Sequence, residues 1–283
     1  MITLGIIGGS GLYELALDER REDFVQTPFG APSDALISGQ SAGVRLVFLP
    51  RHGRGHRLLP HEINYRANIW ALKHAGAGRI VSVSAVGSMK EDIHPGDLVV
   101  PDQFVDLTRK RESSFFGNGL SGHVGMADPI CDGLAQQLHA AALGVQPRTH
   151  RGGTYVCIEG PQFSTRAESR IYRQWGASVI GMTNMPEAKL AREAGLCYAT
   201  LALATDYDCW HESEADVSIA SVVAVMQKNV ASARRIIQEV ATQLPAAREC
   251  PCAEAPRHAV VSSKEVASAQ TRGTLEFLQR ELS

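Results

Sequence analysis

The chain reads as an α/β protein, a single domain over residues 1–283 with a central mixed sheet flanked by helices. Three observations predict this. Short, β-branched apolar runs alternate with longer stretches of helical period, the pattern of strands covered by crossover helices. A composition of 44% hydrophobic and 20% charged residues suits a chain that buries a sizeable core. Several apolar runs also stop abruptly at small or polar residues, as strands do when their ends deliver functional groups.

Strands are expected over residues 2–7, 44–49, 79–84, 97–100, 154–158, 178–182 and 196–205. A helix is expected over 61–75, where Ile63, Ala67, Trp70 and His74 recur at helical spacing and Gly76 marks the end. Asp128-Pro129 is expected to open the next, the carboxylate accepting from free first-turn N–H groups and the proline giving up an N–H that needs no partner. Further helices are expected over 166–175, 186–194 and 218–244. Residues 245–262, rich in Pro and Ala and without periodicity, read as a surface connection. A C-terminal helix over 263–282 follows, with Ser262-x-x-Glu265 as its capping box.

Twenty-eight Lys and Arg against 30 Asp and Glu leave a net charge of −2, so no basic field calls for nucleic acid. No apolar run approaches the roughly twenty residues of a membrane span, and the start ITLGII lacks the basic region of a signal peptide. A cytoplasmic protein without a membrane partner is expected. The cysteines at 131, 157, 197, 209, 250 and 252 match neither a disulfide scaffold nor a zinc spacing, and are expected to be mostly buried thiols. Cys250-Pro-Cys252 stays open as a redox clip.

The run IIGGSGL sets three glycines and Ser10 directly after a strand, where backbone N–H groups and a hydroxyl can surround an anion. The same residues also suit a tight turn without a ligand. It is neither a P-loop nor the dinucleotide fingerprint. Arg51 and His52 follow the second strand and offer a planar fork and an imidazole to phosphate. Metal binding by His52, His56 and His61 is the other reading, but their spacing matches no zinc pattern. Ser84-Ala85 in SAVGS and Gly181-Met182-Thr183 close two more strands with N–H and O–H donors. Asp206 and Asp208 in ATDYDCWH end an apolar run; two apart in an extended segment, both carboxyls face one ligand. One then serves as general acid and the other accepts from an amino group, with metal binding or helix capping as the alternatives.

These pieces occur together in the purine nucleoside phosphorylase superfamily, and the chain resembles its 5′-methylthioadenosine phosphorylase branch from Gly5 to His211. The resemblance lies in GIIGGSGL, TPFGAPSDAL, PRHGRGH, NYRANIWALK, VGSMKEDIHPGDLVVPDQFVD, IEGPQFSTRAES, VIGMTNMPEAKLAREAGLCYA and ATDYDCWH. It implies phosphorolysis of methylthioadenosine to adenine and 5-methylthioribose 1-phosphate, in purine and methionine salvage, with inorganic phosphate as co-substrate and no metal or organic cofactor. The phosphate contacts it implies are Ser10, Arg51, His52, Ser84, Ala85 and Thr183. Met182 lies under the ribose and Phe163 and Ser164 line the base pocket, while Ile219, Val222 and Val223 form an apolar slot for the methylthio group. Asp206 protonates or bonds N7 and Asp208 accepts from the 6-amino group.

Members resembling this chain are homotrimers, with His123 matching a residue that a neighbouring subunit contributes. Ser10 and Ser84 replace threonines common in the family and keep a hydroxyl, and Val86 replaces a cysteine. Gly181 replaces an asparagine found in some members, a loss of side-chain amide expected to relax specificity. A broader phosphorylase acting on adenosine, inosine or methylthioinosine is the alternative.

Overall fold

The alternation of buried runs and helical stretches resolves into one sheet with helices packed on it. The computed structural model describes the backbone of residues 1–9, 11–15, 17–211, 219–263 and 267–282, and their side chains apart from 13, 219–224 and 226–228. The strands are β1 (Thr3–Gly8), β2 (Asp18–Asp23), β3 (Leu36–Ser41), β4 (Val44–Pro50), β5 (Arg79–Ser88), β6 (Leu98–Val100), β7 (Gln103–Asp106), β8 (Thr149–Arg151), β9 (Thr154–Cys157), β10 (Ala177–Gly181) and β11 (Cys197–Asp206). The helices are α1 (Tyr65–His74), α2 (Asp132–Val145), α3 (Arg166–Gln174), α4 (Glu187–Glu193), α5 (Ile219–Gln243) and α6 (Ala269–Gln279).

The sheet order is β2-β3-β4-β1-β5-β10-β9-β7, with β11 on β5 and β6, and β6 on β8. β4, β1, β5 and β11 run parallel, whereas β10 is antiparallel to β5, so the sheet is mixed. β5 is the branch point. Its first half lies between β1 and β11, and its last residues, Gly87 and Ser88, pair with β10.

The apolar runs gave every expected strand, and four others lack that signal. β2 is DERRED, exposed throughout, and pairs with β3 through its backbone at the sheet edge. Charges there discourage a second chain from adding to the edge. β3 ends in polar, half-buried residues, and β7 and β8 are too short to show a period.

Helix starts shift where another bond competes. Asn64 caps α1, its side chain accepting from Ala67 N–H, so 61–63 stay outside. Asp128-Pro129 does not open α2; Cys131 N–H bonds the Tyr198 carbonyl, keeping the chain extended until Asp132. Ser262 does not cap the last helix either, because its hydroxyl accepts from Ser121 N–H at 2.9 Å. Ser268 takes that place, accepting from Thr271 N–H, and Glu265 lies outside the described residues. Residues 245–262 are more than a surface connection, since a 3₁₀ turn at Pro251–Glu254 buries Cys252 and Val260 bridges to Gly122.

Ala233, Ile236, Ile237, Val240 and Ala241 of α5 are fully or almost fully buried, the recurrence of a helix with one face on the core. Trp70 of α1 stacks on Phe277 of α6 with ring centroids 3.8 Å apart, which seats the C-terminal helix. Among the described residues no helix is long and apolar enough to cross a membrane.

Candidate active site

Parallel strands β4, β1, β5 and β11 present their carboxyl ends along one edge, where ligands bind in open α/β sheets. This brings Gly8, Arg51-His52, Ser84-Ala85 and Asp206 to one side of the fold. The antiparallel β10 joins them because its Ile180 pairs with Gly87, delivering Gly181-Met182-Thr183. Ser84 Oγ lies 2.9 Å from Thr183 Oγ1, and both side chains are buried. Ala85, within β5 and paired with Leu203 of β11, is half-buried. Ser10 lies outside the described residues.

Arg51 sits beneath this edge, 2% exposed. Its Nε donates to Glu187 Oε2 at 2.8 Å, while Nη2 donates to Ser82 Oγ and Glu187 Oε1 and lies 3.4 Å from the Ile7 carbonyl. Nη1 donates to the Val83 carbonyl at 2.9 Å. Burial opposes the charge and the Glu187 carboxylate overrules it, holding the guanidinium protonated. Glu187, fully buried, also accepts from Ser82 and Tyr198 hydroxyls, and Asn184 Nδ2 reaches Ser82, Tyr198 and Thr200. The open fork expected from the sequence is therefore largely closed. Among the described residues, the second Nη1 hydrogen is what remains for an anion.

His52 is buried to the same edge and stacks on His56 with centroids 4.2 Å apart. Burial, together with the neighbouring Arg51, pushes it down to about 4, so the ring is neutral at pH 7. Its Nδ1 lies 2.9 Å from the Leu58 carbonyl, which only accepts, so Nδ1 carries the proton. Nε2 of the neutral ring is then an acceptor, not the donor that the sequence suggested. The single convergent group of metal-ligating side chains among the described residues consists of cysteines, and includes none of His52, His56, His61, Asp206 or Asp208.

At the end of β11 the register slips between Ala204 and Asp206, a bulge at Thr205 that re-aims the next side chain. Asp206 Oδ2 lies 2.6 Å from the Thr205 hydroxyl, and Oδ1 accepts from Asp208 N–H at 2.8 Å. Gly87 makes room, since a Cβ there would fall 2.9 Å from Asp206 Oδ1. The extended geometry expected for the two aspartates fails at Asp208, where φ is +52° and the chain turns. The carboxyls stay neighbours nonetheless. Burial raises both above the usual carboxylate range, and Asp206 raises Asp208 further. A carboxyl so placed keeps its proton readily and can donate it.

Ser164 and Phe163 arrive beside this turn. Cys209 Sγ contacts the Ser164 carbonyl at 3.2 Å, Arg166 bonds the Cys209 carbonyl, and Ser164 Oγ is buried without a partner. Phe163 is half exposed, at 50%. Met182 packs on Gly160, where a Cβ would lie 2.5 Å from Sδ. Ile219, Val222 and Val223 fall in the first turns of α5, and their side chains lie outside the described ones. His123 is not brought to the pocket; it is exposed and its N–H bonds the Ala259 carbonyl.

Two groups were not singled out in the sequence. Arg111, almost wholly buried, bonds Glu159 through Nε and reaches the carbonyls of Met182, Met185 and Glu159, tying the β9 exit to the β10 exit. One arginine in the run RKR carries no periodicity that would mark it. Tyr155, 0% exposed, places its hydroxyl 3.2 Å from Ser84 Oγ and 2.0 Å from where a Gly181 Cβ would stand. The phenol occupies the space of the missing side chain.

A family model described as the phosphorylase superfamily matches residues 3–242. An S-methyl-5′-thioadenosine phosphorylase of Geobacter sulfurreducens is 56% identical over 278 residues, 98% of this chain and 97% of that protein. The fold is similar to a crystal structure of a methylthioadenosine phosphorylase from an Antarctic soil metagenomic library, with TM-score 0.92, 49% identity and 98% of both chains covered. It is also similar to the Schistosoma mansoni methylthioadenosine phosphorylase in complex with adenine, with TM-score 0.84 and 40% identity over 88% of this chain and 93% of that one.

Glu187→Gln leaves the buried Arg51 charge without its partner and is expected to cost about 3–5 kcal/mol, read by urea unfolding. A change under 1 kcal/mol would show that Arg51 does not depend on it. Gly181→Ala forces a Cβ into the Tyr155 hydroxyl and is expected to cost about 1–3 kcal/mol. Combined with Tyr155→Leu, the two losses should sum to less than their separate values, and strict additivity would deny the contact.

Proposed function

The chain belongs to the phosphorylase superfamily, and from that membership and this pocket we propose that it catalyses the phosphorolysis of 5′-methylthioadenosine to adenine and 5-methylthioribose 1-phosphate. The observation that carries the reading is the hydroxyl pair of Ser84 and Thr183, 2.9 Å apart on the Arg51 floor, facing the same edge as a carboxyl kept protonatable by burial. An anion site and an acid on one edge are what cleavage of a purine N-glycosidic bond by phosphate needs.

Phosphate lies against Ser10, Ser84, Thr183 and the Ala85 N–H, with the remaining Arg51 hydrogen below. The neutral His52 meets it through Nε2, accepting from the P–OH of monohydrogen phosphate. As the C1′–N9 bond lengthens, the phosphate oxygens stabilise the positive ribosyl centre and then bond C1′. Asp206 gives its proton to N7, so adenine leaves neutral. Asp208 accepts from the 6-amino group, which a 6-oxopurine cannot supply. Met182 supports the ribose, Phe163 and Ser164 flank the base, and Ile219, Val222 and Val223 take the methylthio group. Inorganic phosphate is a co-substrate, and the mechanism calls on no cofactor.

The half-exposed Phe163 and the exposed His123 suit a homotrimer in which His123 of one subunit caps the neighbouring site. The enzyme acts in the cytoplasm in purine and methionine salvage.

Adenine release should require phosphate, run fastest with methylthioadenosine beside adenosine, inosine and methylthioinosine, and persist in chelator. Release without phosphate would make the protein a hydrolase, and preference for inosine would remove the base selection assigned to the aspartates.

Asp206→Asn should lower kcat/KM for methylthioadenosine by about 10²–10⁴-fold, and lower that for methylthioinosine less. In the wild type kcat/KM should fall as pH rises through the raised Asp206 value, because the protonated acid is lost. That limb should vanish in the variant; an unchanged pH profile would assign the acid elsewhere.

A further inference from the structure

At the opposite end of the β5–β11 pair from Asp206, Cys131, Cys197, Cys250 and Cys252 converge, their Sγ atoms all within 4.8 Å of one another. They come from three separate parts of the chain: the N-cap of α2, the first residue of β11, and the 3₁₀ turn of the C-terminal segment. Three are buried and Cys250 is half-buried. We propose that these four cysteines hold a structural zinc ion that fastens the C-terminal segment to the sheet.

The geometry favours one central ion over pairwise bonds. Zinc–thiolate bonds of about 2.3 Å in a tetrahedron set neighbouring sulfurs about 3.8 Å apart, so all four must be mutually close. Two disulfides would need closeness only within each pair, at about 2.05 Å. Here Cys197 and Cys250 stand 3.2 Å apart, and all four sulfurs lie within 4.8 Å of one another. Four soft thiolates in this arrangement select zinc over hard cations.

Charge supplies a second, independent observation. Zn²⁺ with four thiolates carries a net charge of about −2 and needs cations beside it. Arg79 pairs in register with Cys197 and is 3% exposed. Its Nη2 bonds the Pro245 and Ala247 carbonyls, but its buried Nη1 has no hydrogen-bond partner. Arg248, bonding the Gly78 and Gly195 carbonyls next to Arg79 and close to Cys197, adds a second positive charge.

Four protein ligands close the coordination sphere, so the ion is structural. Cys197 and Asp206 are the two ends of the ten-residue β11, about 30 Å apart, which keeps the ion out of the reaction. On binding, each cysteine thiol that still carries a proton releases it to solvent as its sulfur bonds zinc.

The test is elemental analysis of untagged full-length protein purified without chelator. About one zinc per chain is expected, released when an organomercurial blocks the thiols. Cys250→Ser should lose most of that zinc, whereas Cys157→Ala, outside the cluster, should keep it. Stripping zinc from the wild type with a strong chelator should lower the unfolding temperature by several degrees while leaving kcat/KM at 25 °C unchanged. Metal-free wild-type protein with its thiols all reactive would overturn the proposal. So would a non-reducing mass showing two disulfides, or iron in place of zinc.

Discussion

The Arg51–Glu187 pair is the constraint on which the pocket is built. A lone buried charge costs several kcal/mol, so neither residue is tolerable without the other, and their positions are fixed together. Arg51 stands one residue past β4 and Glu187 opens α4. The guanidinium reaches the carbonyls of Ile7 and Val83, the residues just before Gly8 of the glycine turn and Ser84 of the hydroxyl pair. One planar group thus gathers the ends of β1, β4 and β5 with the start of α4. The donors proposed to meet phosphate are thus held in place in advance, the arrangement that makes electrostatic stabilisation effective.

The β5–β11 pair carries this order across the molecule. Its interior, from Arg79 opposite Cys197 to Val86 opposite Ala204, is regular and almost wholly buried, and irregularity is confined to the last step, where Thr205 bulges and Asp206 comes to face Gly87. A rigid ladder lets one bulge aim a single carboxyl without disturbing the strand. Arg111 does the comparable work on the other side, fixing Met182 and Glu159 with one guanidinium. The proposed phosphate floor, acid and ribose support are therefore set by three side-chain and backbone devices that share β5 or its neighbours.

Much of this was legible because burial writes itself into periodicity. Strands ending in small residues, Ser84-Ala85 of SAVGS and the paired aspartates all stood out. What was missed depends on bonds between residues far apart in sequence. DERRED pairs through its backbone, so its side chains show no apolar alternation. Asp128-Pro129 looks like a helix start, but the Cys131 bond to Tyr198, across the fold, delays the helix to Asp132. The aspartates' spacing was right and their backbone was not, because a left-handed Asp208 is a property of the turn. Arg51 was found as an arginine at a strand end, yet Glu187, 136 residues away, decides where its fork points. The cysteines, at 131, 197, 250 and 252, follow no local spacing and meet only when the sheet forms.

The exchange at Gly181 shows why a single missing side chain is a poor guide to specificity. An amide lost from β10 suggested an open, less selective pocket, but the space is filled from β9 by the Tyr155 hydroxyl. That hydroxyl bonds Ser84, and Ser84 in turn contacts Thr183, so the polar group that fills the space belongs with the hydroxyl pair proposed to meet phosphate. It joins the hydroxyl pair in one buried hydrogen-bonded chain. In the proposed mechanism recognition of the purine then falls to Asp206 and Asp208, whose bulge and turn are built by other residues. On the proposed mechanism, phosphate binding and base selection are consequently separable on this edge: Tyr155 bonds the Ser84 hydroxyl, whereas Gly87 and Thr205 place the Asp206 carboxyl.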